Sequence, residues 1–558
     1  MKTVVEPGIF QQASTRNVFL LGILLFALLV HASYFNNGFV WLDHGDLAEG
    51  NVERARALLP LETLHQAFAE PFGETGFYRP LTTVSLSLDR AVYGSWAPGY
   101  HATNILLHAL IVAALFVFAR GFFYQSQTVA LWAMLLFAAH PISWLPVGAI
   151  AYRPELLASL FLLLALTFYA ACRRRQFERW GQVRVWICLL AFTAAMLSKE
   201  TALPFFAGSV LVWEFLVWRE RPDEVDRSWR SKTLFLALAL VAGGYLAQRV
   251  RTVGWWHLAA PELPWSEALG TRLLVLGQRL LEWILPTVPS LSDAVLPVPW
   301  FNPGALASLL ALLGFAVLAW RAVQDGHKSI RLLVLFLAVA IFPAANIVPL
   351  PRFTSPHYGY FAALGFVTLW ASMLEHLLHR RANLGRPLAW GTALWLIVAA
   401  ASTFIGGFAF RDDLSLFGPQ VARDQNFAEG HYYLGSHHHK ARDLDRAASS
   451  YQAALDVPPG VLAYVDRPAL LLNFAAVRFE QERYADAEEL FIAAQAVASR
   501  EAQFLILYQR ALIAEKQKNP AKVIELLGSH PQAERWRQPA QLLQRARVEL
   551  AMGHPGDS

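Results

Sequence analysis

The sequence predicts an all-α, polytopic membrane protein: a bundle of about eleven bilayer-spanning helices followed by a C-terminal α-solenoid on the extracytoplasmic side. Three observations carry this prediction. Of 558 residues, 55% are hydrophobic and the mean hydropathy is +0.35, too apolar for an ordinary soluble domain. Apolar runs of spanning length alternate with short polar loops, and every second loop is rich in arginine. From about residue 426 the composition turns polar and alanine-rich, with helical periodicity.

Residues 1–17 read as a short cytoplasmic tail and 18–409 as the membrane domain. Its spans lie near 18–34, 102–118, 129–140, 156–171, 185–197, 203–218, 233–246, 305–320, 332–345, 360–378 and 392–408. The shorter runs extend into their flanks, because a helix needs roughly 17–25 residues to cross about 30 Å of hydrocarbon. No clear cleavage site follows the first run, so it reads as a retained span. Loops 173–184, 219–232, 321–331 and 380–386 are basic, whereas the loop after Phe118 carries only Arg120. Lys and Arg flanking spans stay cytoplasmic. That rule puts the N-terminus inside and the C-terminus outside; the compact, Arg-rich chain reads as bacterial, in the cytoplasmic (inner) membrane, and an endoplasmic reticulum relative would have the same topology. The 19 Trp suit membrane interfaces. The net charge of +5 is a topology signal, not a nucleic-acid footprint. Cys172 and Cys188 sit at cytoplasmic span ends, where a disulfide is not expected.

Two outer loops are long. The first, 35–100, contains an amphipathic stretch at 58–69; the second, 248–303, holds an apolar run interrupted by Arg279 and Glu282 that lies flat or is re-entrant. Residues 410–425 read as a linker and 426–558 as the solenoid. In the latter, Leu434, Gly435, Ala447, Tyr451, Ala454 and Pro459 reproduce tetratricopeptide spacing, and Ala487, Phe491 and Ala494 repeat it. Such units stack into a concave surface that binds peptides or partner proteins; an unrelated helical bundle is the rival reading. Residues 437–439 are three histidines whose side chains diverge on a helix, which disfavours a metal site.

The polar motifs collect on the outer face. NGFVWLDHGD places Asp43 and Asp46 just after the first span. A carboxylate there can accept a proton from an incoming hydroxyl, and two together can hold a divalent cation such as magnesium or manganese. Asp46 equally suits a helix N-cap. YRPL supplies Arg79, able to grip a phosphate with two hydrogen bonds. His101 and His108 lie at and inside the second span, as functional groups or as packed, satisfied histidines. HPISWLPVGAIAYRPE contributes His140, Arg153 and Glu155, the last two close enough to pair with each other. SKET contributes Lys199 and Glu200, with Lys199 either snorkelling or on a lipid phosphate. Arg352, His357 and Tyr358 follow in NIVPLPRFTSPHYGY. No Walker loop or HExxH motif occurs, so a cytoplasmic nucleotide donor is disfavoured.

In this order, YRPL, YHATNILLH, the HP loop, SKET and PLP…HYGYF resemble the multi-span glycosyltransferases of the GT-C superfamily. The nearest likeness is the tetratricopeptide-containing branch related to protein O-mannosyltransferases. The resemblance implies a sugar donor on a polyprenyl or dolichyl phosphate and inverting transfer to a protein, glycan or lipid hydroxyl. Asp43 would be the base, with Asp46 beside it. Arg79, Arg153, Lys199 and Arg352 would hold the donor phosphate. His101, His140, Glu155, Glu200, His357 and Tyr358 are further site candidates. Three positions depart from the family pattern: Leu42 and Leu145 stand where acids are usual, and His357 precedes Tyr358 where arginine is usual. Two rivals remain: a membrane-anchored repeat scaffold without enzymatic activity, favoured by the lost acids, and a flippase for a lipid-linked substrate, disfavoured because the mid-span regions are bland.

Overall fold

The computed structural model describes residues 13–45, 60–72, 76–174, 181–220, 229–255, 262–325, 328–347, 350 and 352–553. Among these the regular structure is helical, with no strand and two isolated bridges, Phe72 with Phe77 and Val295 with Leu462. The chain divides into two compact units, Met1–Leu291 with Leu296–Leu416, and Ser292–Val295 with Phe417–Ser558.

The first unit begins with α1 (Ala13–Val30), α2 (Pro60–Ala69), α3 (Pro80–Tyr93), α4 (Ala97–Gly121), α5 (Gln127–Ala139), α6 (Trp144–Gly148) and α7 (Arg153–Arg173). It continues with α8 (Gly181–Ser198), α9 (Ala202–Glu220), α10 (Trp229–Val253), α11 (Trp265–Ile284), α12 (Pro303–Asp325), α13 (Lys328–Ile341), α14 (Tyr360–Arg380) and α15 (Ala382–Gly407). Six stretches are long and apolar enough to cross a membrane: Arg16–Tyr34, Ala97–Gly121, Ile150–Arg173, Lys232–Val253, Pro356–Arg380 and Ala382–Arg411. A seventh arises if the pair Gln127–Ala139 and Pro141–Gly148, bent by 52°, is one broken span. Pro141 explains the break, since it denies the helix an amide donor. Shorter apolar helices cover Val183–Ser198, Ala202–Val217, Pro303–Val317 and Ser329–Ile341.

Three expectations from sequence change. The outer loop placed at 248–303 starts later, because α10 runs on to Val253. Inside that loop α11 is a continuous helix, and Gly277 lets it close on α12: a Cβ there would collide with the Ser308 side chain. The linker placed at 410–425 is largely helical, as α16 (Asp413–Arg423). Gly418-Pro419 reads as a breaker, yet Asp412 caps the start by accepting the Ser415 N–H at 2.7 Å.

The second unit is a series of helical hairpins: α17 (Ala428–Lys440) with α18 (Leu444–Leu455), α19 (Arg467–Glu480) with α20 (Tyr484–Val497), and α21 (Arg500–Lys516) with α22 (Pro520–Leu527), closed by α23 (Arg537–Gly553). Each hairpin turns through one residue of positive φ: Arg442 at 63°, Glu482 at 60° and Lys518 at 55°. Ala447, Tyr451 and Ala454 are buried against Leu470 and Phe474, and Ala487, Phe491 and Ala494 against Leu471 and Ala475. Gly435 makes room for the Tyr451 ring, which a Cβ would approach to 2.5 Å. The segment Ser292–Val295 adds to this unit: Val295 and Leu462 exchange backbone hydrogen bonds of 2.9 Å, and Asp293 accepts the Tyr464 N–H at 3.0 Å.

Small residues hold the membrane unit together at close contacts. At Gly148 in α6 an added Cβ would run into the Phe410 ring, whereas Gly22 in α1 faces open space. Gly148→Val is expected to cost about 1–3 kcal/mol through overpacking and to lower the unfolding temperature in detergent, while Gly22→Ala leaves it unchanged. Equal unfolding temperatures for both variants would contradict this packing.

Candidate active site

Asp43 lies at the exit of the first span and is fully buried. Its carboxylate accepts the Ala151 N–H at 2.7 Å and the Val40 N–H at 3.2 Å. The turn that presents it passes through Trp41, whose φ of 58° is unusual for a bulky residue. Asp413 fixes that turn, accepting the Trp41 N–H at 2.7 Å and pairing with His44 Nε2 at 2.8 Å. Among the described residues no cation forms an ion pair with Asp43. Burial therefore dominates and pushes its acid up to about 7, against the downward pull of the backbone donors.

Aromatic rings join Asp43 to the other outer segments. The Trp41 ring lies 5.3 Å from Tyr152, Tyr152 4.5 Å from His357, and His357 4.3 Å from Tyr358. The Arg352 guanidinium sits 5.2 Å over the Trp41 ring. His357 is oriented by Ser355 Oγ at 2.7 Å, and Tyr358 donates to the Arg352 carbonyl at 3.1 Å. Lys199, Arg352, Arg79 and Arg279 all lie within electrostatic range of His357. The cluster thus faces one group of cations.

Most of those cations are already matched by a carboxylate. Arg79 grips Glu200 through two hydrogen bonds of 3.0 and 3.2 Å, under the Phe77 ring at 4.1 Å. Burial raises the Glu200 acid, but Arg79 outweighs it and holds the group below its ordinary value. Lys199 pairs with Glu155. Arg153 and Glu155 do not pair with each other, as their spacing suggested. Two positions apart on α7, they point to different sides, and Arg153 turns to Asp89, an ion pair of 2.5 Å. Asn104 accepts from Arg153 at 2.8 Å and the Tyr100 carbonyl at 3.0 Å. Arg153 has no exposed surface and is engaged by Asp89, Asn104 and the Tyr100 carbonyl, the contacts of a structural strut.

His101 hydrogen-bonds with the Gly38 carbonyl at 3.0 Å. His140 bridges the Trp283 carbonyl at 3.1 Å and the Ile142 N–H at 3.1 Å, fixing the break after α5. His108 meets the Tyr360 hydroxyl at 2.7 Å. Asp46 lies outside the described residues. Leu145 is buried in α6 and Leu42 is half-buried. Among the described residues no group of three or more His, Cys, Asp and Glu side chains is arranged to hold a metal ion. Both Asp43 oxygens are already engaged by amides.

Asp89, Asn104, Tyr152 and Asp413 escaped the reading from sequence. Asp89 alone carried a signal, as the single acid in the otherwise neutral-to-apolar stretch 80–89. Asp413 stood in what looked like a linker.

Parts of the chain are similar to known protein mannosyltransferases. Residues 90–245 match the family model of dolichyl-phosphate-mannose-protein mannosyltransferases. Among individual proteins, it is similar to protein O-mannosyl-transferase Tmtc3 of Drosophila melanogaster, 24% identical over 75% of this chain and 52% of that one. Human protein O-mannosyl-transferase TMTC3 is 23% identical over 85% and 55%. Drosophila Tmtc1 reaches 33% identity over 33% of this chain and 21% of its own. The chain spans about half the length, or less, of these relatives. Of solved structures, ArnT from Cupriavidus metallidurans in the apo state aligns with TM-score 0.45 at 12% identity, over 76% of this chain and 80% of that one.

The buried Arg153–Asp89 pair makes a sharp structural prediction. Asp89→Asn strands a buried guanidinium and is expected to cost about 3–5 kcal/mol, seen as loss of monodisperse protein on size exclusion. The double change Arg153→Met with Asp89→Leu removes both charges and is expected to restore folded yield. A fully folded single variant would refute the strut.

Proposed function

We propose that this protein is an integral membrane glycosyltransferase that moves a sugar from a polyprenyl-phosphate-linked donor to a hydroxyl on a protein, glycan or lipid acceptor at the outer face of the membrane. The observation that carries the reading is Asp43: a buried carboxylate held by two backbone amides, beside a group of cations, with an acid strength suited to a base near neutral pH. The relatives' names make mannose the first sugar to test and a protein the first acceptor.

In the reaction, Asp43 takes the proton of the acceptor hydroxyl. The oxygen attacks the anomeric carbon from the side opposite the lipid phosphate, so the configuration inverts. The bond from that carbon to the phosphate oxygen breaks, and the electron pair leaves with the lipid phosphate. Arg79, Lys199 and Arg352 stabilise the charge that builds there. Arg79 and Lys199 are neutralised by Glu200 and Glu155 before the donor arrives.

Eleven spans, made of the long and the shorter apolar helices and the bent pair, would put the N-terminus in the cytoplasm. Asp43 and the C-terminal unit would then lie outside the inner membrane. The three hairpins with their repeated small residues would form a tetratricopeptide solenoid that engages the acceptor.

Asp43→Asn is expected to abolish sugar transfer in reconstituted vesicles, a loss of at least about 100-fold, with folded yield unchanged. Unaltered activity in that variant removes Asp43 from the chemistry and favours the scaffold reading. The base works only when ionised. With its acid near 7, transfer at saturating substrate should climb as pH rises through about 7 and level off above it. A rate that is flat from pH 5 to 9 would contradict this assignment.

A further inference from the structure

The turn that carries Asp43 is not one the chain takes readily. Trp41 sits in it with a φ of 58°, a region that bulky side chains avoid. Such a conformation persists only where the surroundings over-determine it. The turn's own bonds run from the Asp43 N–H to the Val40 carbonyl at 3.0 Å and from the His44 N–H to the Trp41 carbonyl at 3.2 Å. Being local, they shape the turn without fixing where it sits.

Asp413 supplies the long-range hold. It is buried, and its carboxylate binds the turn at both ends: Oδ1 accepts the Trp41 N–H at 2.7 Å and Oδ2 meets His44 Nε2 at 2.8 Å. Hydrogen bonds to an ionised acceptor are the strong ones. The neighbouring backbone follows the same course. Asn37 donates to the Gly407 carbonyl at 2.8 Å, and the Gly38 N–H to the Arg411 carbonyl at 3.3 Å. The approach is close, since a Cβ on Gly38 would come within 2.8 Å of that carbonyl oxygen. Helix formation does not account for Asp413, because Asp412 already caps α16.

We infer that Asp413 is a positioning residue for Asp43: its clamp on the Trp41–His44 turn keeps the Asp43 carboxylate on the Val40 and Ala151 amides and out of water. The inference rests on the proposed function for one point, that Asp43 is the base of the transfer. Around Asp43 the charged and titratable groups are His44 on its own turn, Arg153 and Tyr152 at the start of α7, Arg352 over the Trp41 ring and His357 against Tyr152. Without the clamp the turn relaxes and water reaches the carboxylate. The burial that lifts its acid to about 7 is then lost, and the acid falls toward the ordinary carboxylate range. Losing the charge on His44 alone would move it the other way. A downward shift therefore reports water and not electrostatics.

The test uses the full-length protein in reconstituted vesicles and two readouts. Asp413→Ala is expected to lower kcat about 10- to 100-fold with the donor KM unchanged, the penalty of a misplaced reacting group. The infrared carboxyl band that Asp43→Asn removes is expected to titrate near 7 in the parent. In Asp413→Ala it should titrate at least about one pH unit lower. Asp412→Ala, which removes the α16 cap and leaves the clamp, should change neither readout. Asp413→Asn keeps an oxygen for the Trp41 N–H and guards against misfolding, with a smaller fall in kcat. A band that stays near 7 in Asp413→Ala, or full kcat in both Asp413 variants, overturns the inference; sugar transfer by the parent then leaves the transferase reading intact. A band that moves down on Asp413→Ala in a protein that transfers no sugar does the reverse.

Discussion

Two amide hydrogen bonds to the Asp43 carboxylate organise the candidate site of the first unit. Val40 supplies one from the chain leaving the first span, and Ala151 the other from the turn that starts the long helix through Arg173. Segments more than a hundred residues apart in sequence thereby meet at one side chain. Neutral donors hold a carboxylate in place without fixing its charge. Moving the acid from 3.8 to about 7 corresponds to roughly 4 kcal/mol in favour of the protonated form. An arginine in the place of those amides would have pulled against that preference through an ion pair, as Arg153 does for Asp89, where burial still holds the acid above its ordinary value.

The same contrast separates scaffold from site across the whole face. Arg153 is spent on Asp89, Asn104 and a carbonyl, and its removal reports on folding. Arg79 and Lys199 each face one carboxylate, pairs in which a donor phosphate would take the carboxylate's place under the proposed function. In the resting protein the carboxylates Glu200 and Glu155 keep the cations desolvated but compensated. A buried cluster of unpaired cations would be far more costly. The cost is low for pairs that trade one anion for another.

Reading the sequence recovered the all-helical character and the long apolar helices, where physics acts over many residues. Spanning runs, arginine-rich loops and the small-residue spacing at Ala447, Tyr451 and Ala454 are collective signals, and tolerate local error. Single-residue roles were legible only in part. Asp43, Arg79, Lys199, Arg352 and His357 could be singled out because each interrupts an apolar context. Their partners could not be assigned, since whether Arg153 meets Glu155 or Asp89 depends on how α3 packs beside α7. Asp413 was hidden for a different reason. It stands in the stretch read as a linker between the last span and the repeats, whereas capping by Asp412 starts a helix that turns Asp413 inward to His44.

The leucines at 42 and 145 gain meaning from this electrostatic setting. In the resembled family a second acid stands beside the base. Here the nearest side chains at those positions carry no charge, and Leu145 is buried in α6. A neighbouring carboxylate would raise the Asp43 acid further, because like charges oppose ionisation. With leucine in both places burial alone does the lifting, and the result sits near neutrality. One base suffices for an inverting displacement, since the departing phosphate needs cations and not a proton donor. The lost acids are therefore compatible with a working site in which Asp43 handles the proton and the arginines and lysine handle the charge.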